Sequence, residues 1–234
     1  MLPDRAISEY RRRYLVWVLL GLLLSLPLGA EQSVAPGINR GYDNPNVTQW
    51  RGVFERDGRE VWDRRDDIIR HLRLQPGQAI ADVGAGTGFF TALMAREVGT
   101  TGIVYAVDIA QNFVDASVQR ARDQGLRNVV GVVNDPRDVR LPENSVDLVF
   151  ISDTYHHFEY PRSTLRSIHR ALRPGGEMVV IDFKRIPGFS NPWVLNHVRA
   201  GESVVTAEIT AAGFELVERL DFMQTQYYLR FRRR

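Results

Sequence analysis

A short apolar run, Ala79-Ile-Ala-Asp-Val83, leads directly into glycines at 84, 86 and 88 and then Phe89-Phe90. A buried parallel strand reads as such a brief Ala/Ile/Val run. Glycines placed immediately after it let the backbone turn sharply and approach a ligand with no Cβ in the way. A helix is expected to start near Thr87, its hydroxyl at a capping position. Its unpaired N–H groups would then face the crevice at the carboxyl end of the strand, where open α/β sheets bind ligands. The spacing is Asp82-x-Gly84-x-Gly86-x-Gly88, with Phe at 89. The dinucleotide fingerprint G-x-G-x-x-G needs its third glycine one position later, so the pattern points away from a nicotinamide cofactor.

The rest of the chain alternates strand and helix. Strands are expected at 103–108, 128–133, 146–151 and 177–183, with helices at 111–124 and 161–173. A helix over 202–212 and two extended runs, 214–222 and 226–231, follow. Such alternation predicts a parallel sheet with helices on both faces, and the two closing runs are near enough in sequence to pair antiparallel at its edge. The chain has 234 residues, 44% of them hydrophobic, which suffices for one α/β domain with a stable core. There is no cysteine, which excludes thiol catalysis, disulfides and cysteine-held zinc. Of the 30 basic side chains only Lys184 is a lysine, and the net charge of +2 is dispersed, so no nucleic-acid surface is expected.

Residues 1–30 differ in kind. Arg5 and Arg11 to Arg13 precede an uncharged stretch, Tyr14 to Leu28, that is closed by Gly29 and Ala30. This is the layout of a secretory signal, with a plausible cleavage after Ala30. Leu28 fits poorly three residues before that bond, which leaves an uncleaved membrane anchor as the alternative and a cytoplasmic chain as the third reading. Residues 31–45 read as a linker, and the pattern from Asn46 to Leu72 as a helical cap broken at Gly58. Tyr42 at the end of the linker and Trp50 and Trp62 in the cap are candidates to touch substrate. The expected organisation is therefore 1–30 signal or anchor, 31–75 linker and cap, and 76–234 the main domain.

Chemistry-bearing residues sit at the carboxyl ends of the expected strands. Asp108 ends the second strand, where a carboxylate accepts hydrogen bonds from ribose hydroxyls. Asp135 follows the third strand and is a candidate acceptor for an adenine amino group, although Asp-Pro turn chemistry accounts for it equally well. The fourth strand delivers Asp153-Thr-Tyr155-His156-His157. Either histidine, Tyr155 or Asp153 is a candidate general base or orienting group, with Asp182 behind them at the end of the fifth strand. His71, His169 and His197 show no ligand spacing to the histidine pair, so no metal site is expected. His197 and Arg199 are candidates for acceptor recognition.

Four features in order, namely the glycine loop, Asp108, Leu141-Pro-Glu-Asn-Ser-Val-Asp147 and Leu172-Arg-Pro-Gly-Gly176, resemble successive motifs of the class I (Rossmann-like) S-adenosylmethionine-dependent methyltransferases, over residues 76–222. The resemblance implies a doubly wound, mostly parallel seven-stranded sheet with an antiparallel last strand. It implies S-adenosylmethionine as methyl donor, with Gly84, Ala85, Gly86 and Gly88 along the donor, Asp108 on its ribose, and Asp82 behind the loop orienting its amino group. Asp135 and Asp153 complete the candidate cofactor set, and His156, His157 and Tyr155 the candidate catalytic set. Segments 42–66 and 184–203 are the expected acceptor lid, compatible with a small-molecule or lipid-like acceptor. Two alternatives to an active methyltransferase stand. One is a donor-binding sensor or interaction protein that has lost transfer, and the other a nucleotide-binding oxidoreductase, disfavoured by Phe89 and by the glycine pair at 175–176.

Overall fold

A computed structural model describes residues 30–234, and the signal or anchor expected within 1–30 lies almost wholly outside the described residues. A seven-stranded sheet organises residues 33–234. Its strands are β1 Ala79–Val83, β2 Ile103–Asp108, β3 Val129–Val133, β4 Val146–Ser152, β5 Leu172–Phe183, β6 Phe214–Leu220 and β7 Gln226–Arg233. They lie in the order β3-β2-β1-β4-β5-β7-β6. The first five pair in parallel, and β7 inserts antiparallel between β5 and β6. The order reverses between β1 and β4, so the loops after these two strands open onto one crevice.

The helices are α1 Val47–Phe54, α2 Glu60–Asp63, α3 Arg65–Leu72, α4 Phe89–Val98, α5 Gln111–Asp123, α6 Pro161–Ala171, α7 Pro192–His197 and α8 Glu202–Ala211. Strand residues alternate between two cores because successive side chains leave a strand on opposite faces. Ala81, Val83, Val149, Ile151 and Val180 pack with Leu165 and Ile168 of α6 and Ile209 of α8. Ile80, Leu148, Phe150, Val179 and Ile181 pack with Ile68 of α3 and Phe90 and Met94 of α4. All five residues of β1 are buried, as its unbroken apolar run requires.

Several boundaries differ from expectation, at two places for a clear physical reason. Helix α4 starts at Phe89 rather than at Thr87, because Gly88, at φ +74°, occupies the cap position and Thr87 directs its hydroxyl to Glu55. Helix α6 stops at Ala171 and β5 begins at once with Leu172, five residues ahead of Glu177. Arg173 precedes a proline and is steered into extended backbone, so Leu172 can pair with Val146 before the register shifts at Leu148.

Arg230 of β7 fastens the sheet to α3. Its guanidinium donates to Glu177 at 2.7 Å, to the Tyr228 hydroxyl at 3.0 Å, and to the carbonyls of His71 (2.7 Å) and Leu72 (3.2 Å) at the end of α3. A buried cation thereby satisfies helix-terminal acceptors and complements the negative end of the helix dipole. Replacing it by Arg230→Ala is expected to lower unfolding stability by roughly 3 kcal/mol, the usual cost of removing one member of a buried charged network. Urea denaturation followed by circular dichroism measures this; a change under about 0.5 kcal/mol, the scale of an ordinary surface substitution, would contradict the assigned role.

Candidate active site

The carboxyl ends of β1, β2, β4 and β5 surround a cleft of about 1010 Å³, roofed in part by Tyr42, Trp50 and α1. That volume is at the upper end of the range of about 300–1,000 Å³ typical of ligand sites, room enough for a donor and a small acceptor together. Gly84, Gly86 and Gly88 all have positive φ, a region that side chains with a Cβ rarely enter. Two of them are also closely approached. A Cβ at Gly84 would lie 2.3 Å from the Thr154 side chain, and one at Gly88 would lie 2.6 Å from the Ser117 Cα. The loop therefore needs glycine for its own packing, and its open side remains for a ligand.

Asp108 holds this loop in place. Its Oδ2 accepts from the Gly86 N–H at 2.9 Å and its Oδ1 from the Ala110 N–H at 3.0 Å. Burial pushes its pKa up to about 6, against the opposing pull of those N–H groups. The carboxylate lies at the cleft wall with lone pairs to spare. Asp82 lies deeper and accepts from the Thr91 hydroxyl at 2.5 Å. Burial, with the nearby Asp108 adding repulsion, raises Asp82 to about 7.

Asp153 also lines the cleft, in left-handed backbone at φ +48°, a conformation aspartate tolerates better than most residues. One carboxylate oxygen pairs with Arg59 of the cap at 2.7 Å, while the other is buried without a hydrogen-bond partner. Burial raises its pKa to about 6 in spite of the Arg59 charge. Asp135 reaches the rim, where its Oδ1 accepts from the N–H groups of Arg137 (2.8 Å) and Asp138 (3.0 Å). That carboxylate closes a turn, as Asp-Pro chemistry anticipates.

The Tyr155-His156-His157 triplet forms a 3-10 turn whose members part company. Tyr155 is fully buried in the core with Phe158, donates its hydroxyl to Glu208 at 2.9 Å, and is absent from the cleft wall. Burial and the Glu208 charge raise its pKa far above that of free tyrosine. It is a core residue and has no access to serve as a base, which corrects the sequence expectation. The two histidines do line the cleft. His156 Nδ1 sits 2.8 Å from Asp182 Oδ1, and its backbone N–H donates to Asp182 Oδ2. His157 Nδ1 lies 3.2 Å from Asn39 Oδ1, and burial drives its pKa down to about 3, with His156 and His197 contributing. Asp182 thus stands behind His156 as expected.

Of the acceptor-lid candidates, His197 reaches the cleft and stacks on Trp193. Arg199 is instead turned to Glu208 in a two-pronged pair at 2.8 and 2.9 Å, a structural role. Tyr42 and Trp50 line the cleft as expected, whereas Trp62 packs on Phe89 away from it. The sequence reading missed how the cap is fastened. Glu55 at the end of α1 receives both the Arg120 guanidinium (2.5 and 2.7 Å) and the Thr87 hydroxyl (2.7 Å), which ties cap, glycine loop and α5 together. Arg59 and Asn39 were also missed. Nothing in local spacing marks any of these, since each partner lies far along the chain.

Asp82, buried in β1 behind the loop, gives a pH dependence of defined sign. A carboxyl whose folded pKa is raised stabilises the fold fully below its unfolded value near 3.8, and that contribution is lost as pH rises toward 7. Relative to Asp82→Asn, the natural chain is therefore expected to lose unfolding stability between about pH 4 and pH 7, by at most about 1.4 kcal/mol per pH unit. Denaturant midpoints of both chains across that range test this; a difference that does not change with pH would contradict it.

The glycine cradle, the loop-holding Asp108 and the volume beyond them fit an adenosyl donor. Comparison with known proteins agrees. A family model described as "Methyltransferase domain" matches residues 81–180. A ubiquinone/menaquinone biosynthesis C-methyltransferase of Hydrogenovibrio crunogenus is 32% identical over 156 residues, 66% of this chain and 59% of that one. A demethylmenaquinone methyltransferase of Geobacillus stearothermophilus is 30% identical over 118 residues, 50% of each. The chain thus spans only about half to three fifths of the length of these relatives. Among solved structures, an S-adenosylmethionine-dependent methyltransferase from Aquifex aeolicus superposes with a TM-score of 0.72 at 23% identity, covering 81% of this chain and 99% of that one. A protein from Bordetella parapertussis described as a possible exported protein superposes at 0.63 with 16% identity, covering 82% and 80%. Residues 81–180 thus match the methyltransferase-domain family, and the chain has the class I, Rossmann-like fold of S-adenosylmethionine-dependent methyltransferases.

Proposed function

We propose that this protein transfers a methyl group from S-adenosylmethionine to a small, lipid-like aromatic acceptor, with a reduced quinone ring or a related phenol as the first class to try. The observation that carries this reading is one continuous cleft. Its lining brings together the glycine cradle with Asp108, the aromatic side chains Tyr42, Trp50 and Trp193, and three imidazoles. The curated relatives are named as a demethylmenaquinone methyltransferase and a ubiquinone/menaquinone biosynthesis C-methyltransferase, which supports that acceptor class.

Gly84, Ala85, Gly86 and Gly88 would hold the donor along the loop, and Asp108 would accept from its ribose hydroxyls. When bound, the donor supplies an already activated methyl group. The protein's task is then to align a nucleophile and to keep water out. Flat aromatic walls suit a planar ring, and an apolar cleft suits its lipid tail. Ring nitrogens of His156, His157 and His197 offer acceptors to a phenolic hydroxyl, whose loss of a proton makes both its oxygen and the adjacent ring carbon more nucleophilic. The Arg59–Asp153 pair, reaching from the cap to the floor, closes the cleft over the reacting groups.

We infer in addition that residues 1–30 direct export or anchor the chain at a membrane. The basic, apolar and small-residue order of that segment supports this, and so does the description of the Bordetella neighbour. Expression of the full chain followed by fractionation and N-terminal sequencing tests it: a mature start at Glu31, or recovery with membranes, is expected, and an intact soluble cytosolic chain would overturn it.

Calorimetry with S-adenosylmethionine, its demethylated product and NAD checks the donor. Binding of both sulfur compounds and none of NAD is expected, with at least a tenfold loss in Asp108→Ala and no measurable binding in Gly86→Val. Tight NAD binding with no response to the sulfur compounds would sink the reading. Methyl transfer to reduced naphthoquinones and benzoquinones then separates an active enzyme from a donor-binding sensor.

A further inference from the structure

We propose that His156, His157 and His197 form a mononuclear site for a zinc-type divalent ion at the acceptor end of the cleft. One ring nitrogen from each of the three lies within 4.8 Å of the other two. The Nε2 atoms of His157 and His197, residues 40 apart in sequence, are 3.4 Å apart. Zinc–nitrogen bonds of about 2.0–2.1 Å at tetrahedral angles place ligand nitrogens about 3.3 Å apart, so this pair is already at ligating distance.

The hydrogen bonds behind the rings fix which nitrogens are free. His156 Nδ1 faces an Asp182 oxygen at 2.8 Å, and a carboxylate only accepts, so the proton is on Nδ1. Asn39 donates its Nδ2 to the carbonyl of His157 (3.1 Å) and to Glu159 (3.3 Å), which turns its Oδ1 toward His157 Nδ1 and puts the proton there too. Both rings therefore present a bare Nε2. His156 Nε2 is buried and has no hydrogen-bond partner, an expense that a cation would remove. A carboxylate or amide oxygen held on the far nitrogen is the arrangement that orients metal-binding imidazoles and raises their basicity. Trp193 stacks on His197 at 4.6 Å and Phe183 stands edge-on to His156, so the rings are braced from outside.

A plain hydrogen bond between His157 and His197 accounts for their approach. It leaves His156 Nε2 unexplained, and it gives no reason for two separate polar groups to set the same tautomer. Three protein ligands leave a tetrahedral ion one open position, as in catalytic rather than structural zinc sites. Here that position faces the cleft. An ion there would bind an acceptor oxygen and ease the loss of its proton. Only this last role rests on the methyltransferase reading, since the binding of the ion does not.

The test uses the full chain without an affinity tag, stripped with chelator, then titrated with Zn²⁺ by calorimetry and with Co²⁺ by visible absorption. One ion per chain is expected, with the intense visible bands of tetrahedral cobalt. His197→Ala is expected to weaken Zn²⁺ at least 100-fold, and Asp182→Asn, which removes the orienting carboxylate, about 10- to 100-fold. S-adenosylmethionine affinity and circular dichroism, read on every variant, establish that each is folded. Absence of stoichiometric binding, or equal affinity in folded His197→Ala, would overturn the site. Stoichiometric zinc without donor binding would uphold the site while refuting the donor reading.

Discussion

The geometry of the cleft depends on one carboxylate holding a tight glycine turn. Asp108 takes the N–H of Gly86 on one oxygen and that of Ala110 on the other, which locks the end of β2 to the loop after β1. With the loop pinned there, Gly88 lies against Ser117 and Gly84 against Thr154 at distances that admit no Cβ. The burial of Asp108 carries a cost, visible as its raised pKa, and the backbone donors offset part of it. A charge-assisted hydrogen bond in a dry setting is stiffer than one in water, so this anchor preorganises the loop before any ligand arrives.

The cap extends the same logic to the opposite wall. Glu55 collects Arg120 from α5 and Thr87 from the loop, and Arg59 crosses the cleft to Asp153. These are charge pairs with little solvent around them, and they set the position of the Phe54 ring over Gly86. Of the two pairs, the Arg59 pair is the one that stands directly at the ligand space.

At the acceptor end the ordering principle is aromatic and imidazole packing. Trp193, Phe183 and Tyr42 pack around three histidines, two of which, His156 and His157, have their far nitrogens held by Asp182 and Asn39. Polar groups this deep are tolerated because most are satisfied, and His156 Nε2, one of the exceptions along with Asp153 Oδ1, marks where chemistry is to be sought.

Much of the scaffold was legible from the chain alone. The alternation of β-branched runs and helical periods gave a parallel sheet. The two closing runs foretold the antiparallel edge, and the glycine spacing pointed to the loop that lines the cleft. These properties are local: a positive φ, a buried strand or a helix stop is imposed by the few residues that adopt it. The inward turn of Tyr155, the employment of Arg199 by Glu208, and the meeting of His197 with the histidine pair were decided by tertiary structure. Adjacent residues on a 3-10 turn point in different directions, and which one meets the cleft depends on how the turn docks. Side chains 40 positions apart converge only because α7 packs where it does, a result of many contacts that no short stretch of sequence contains.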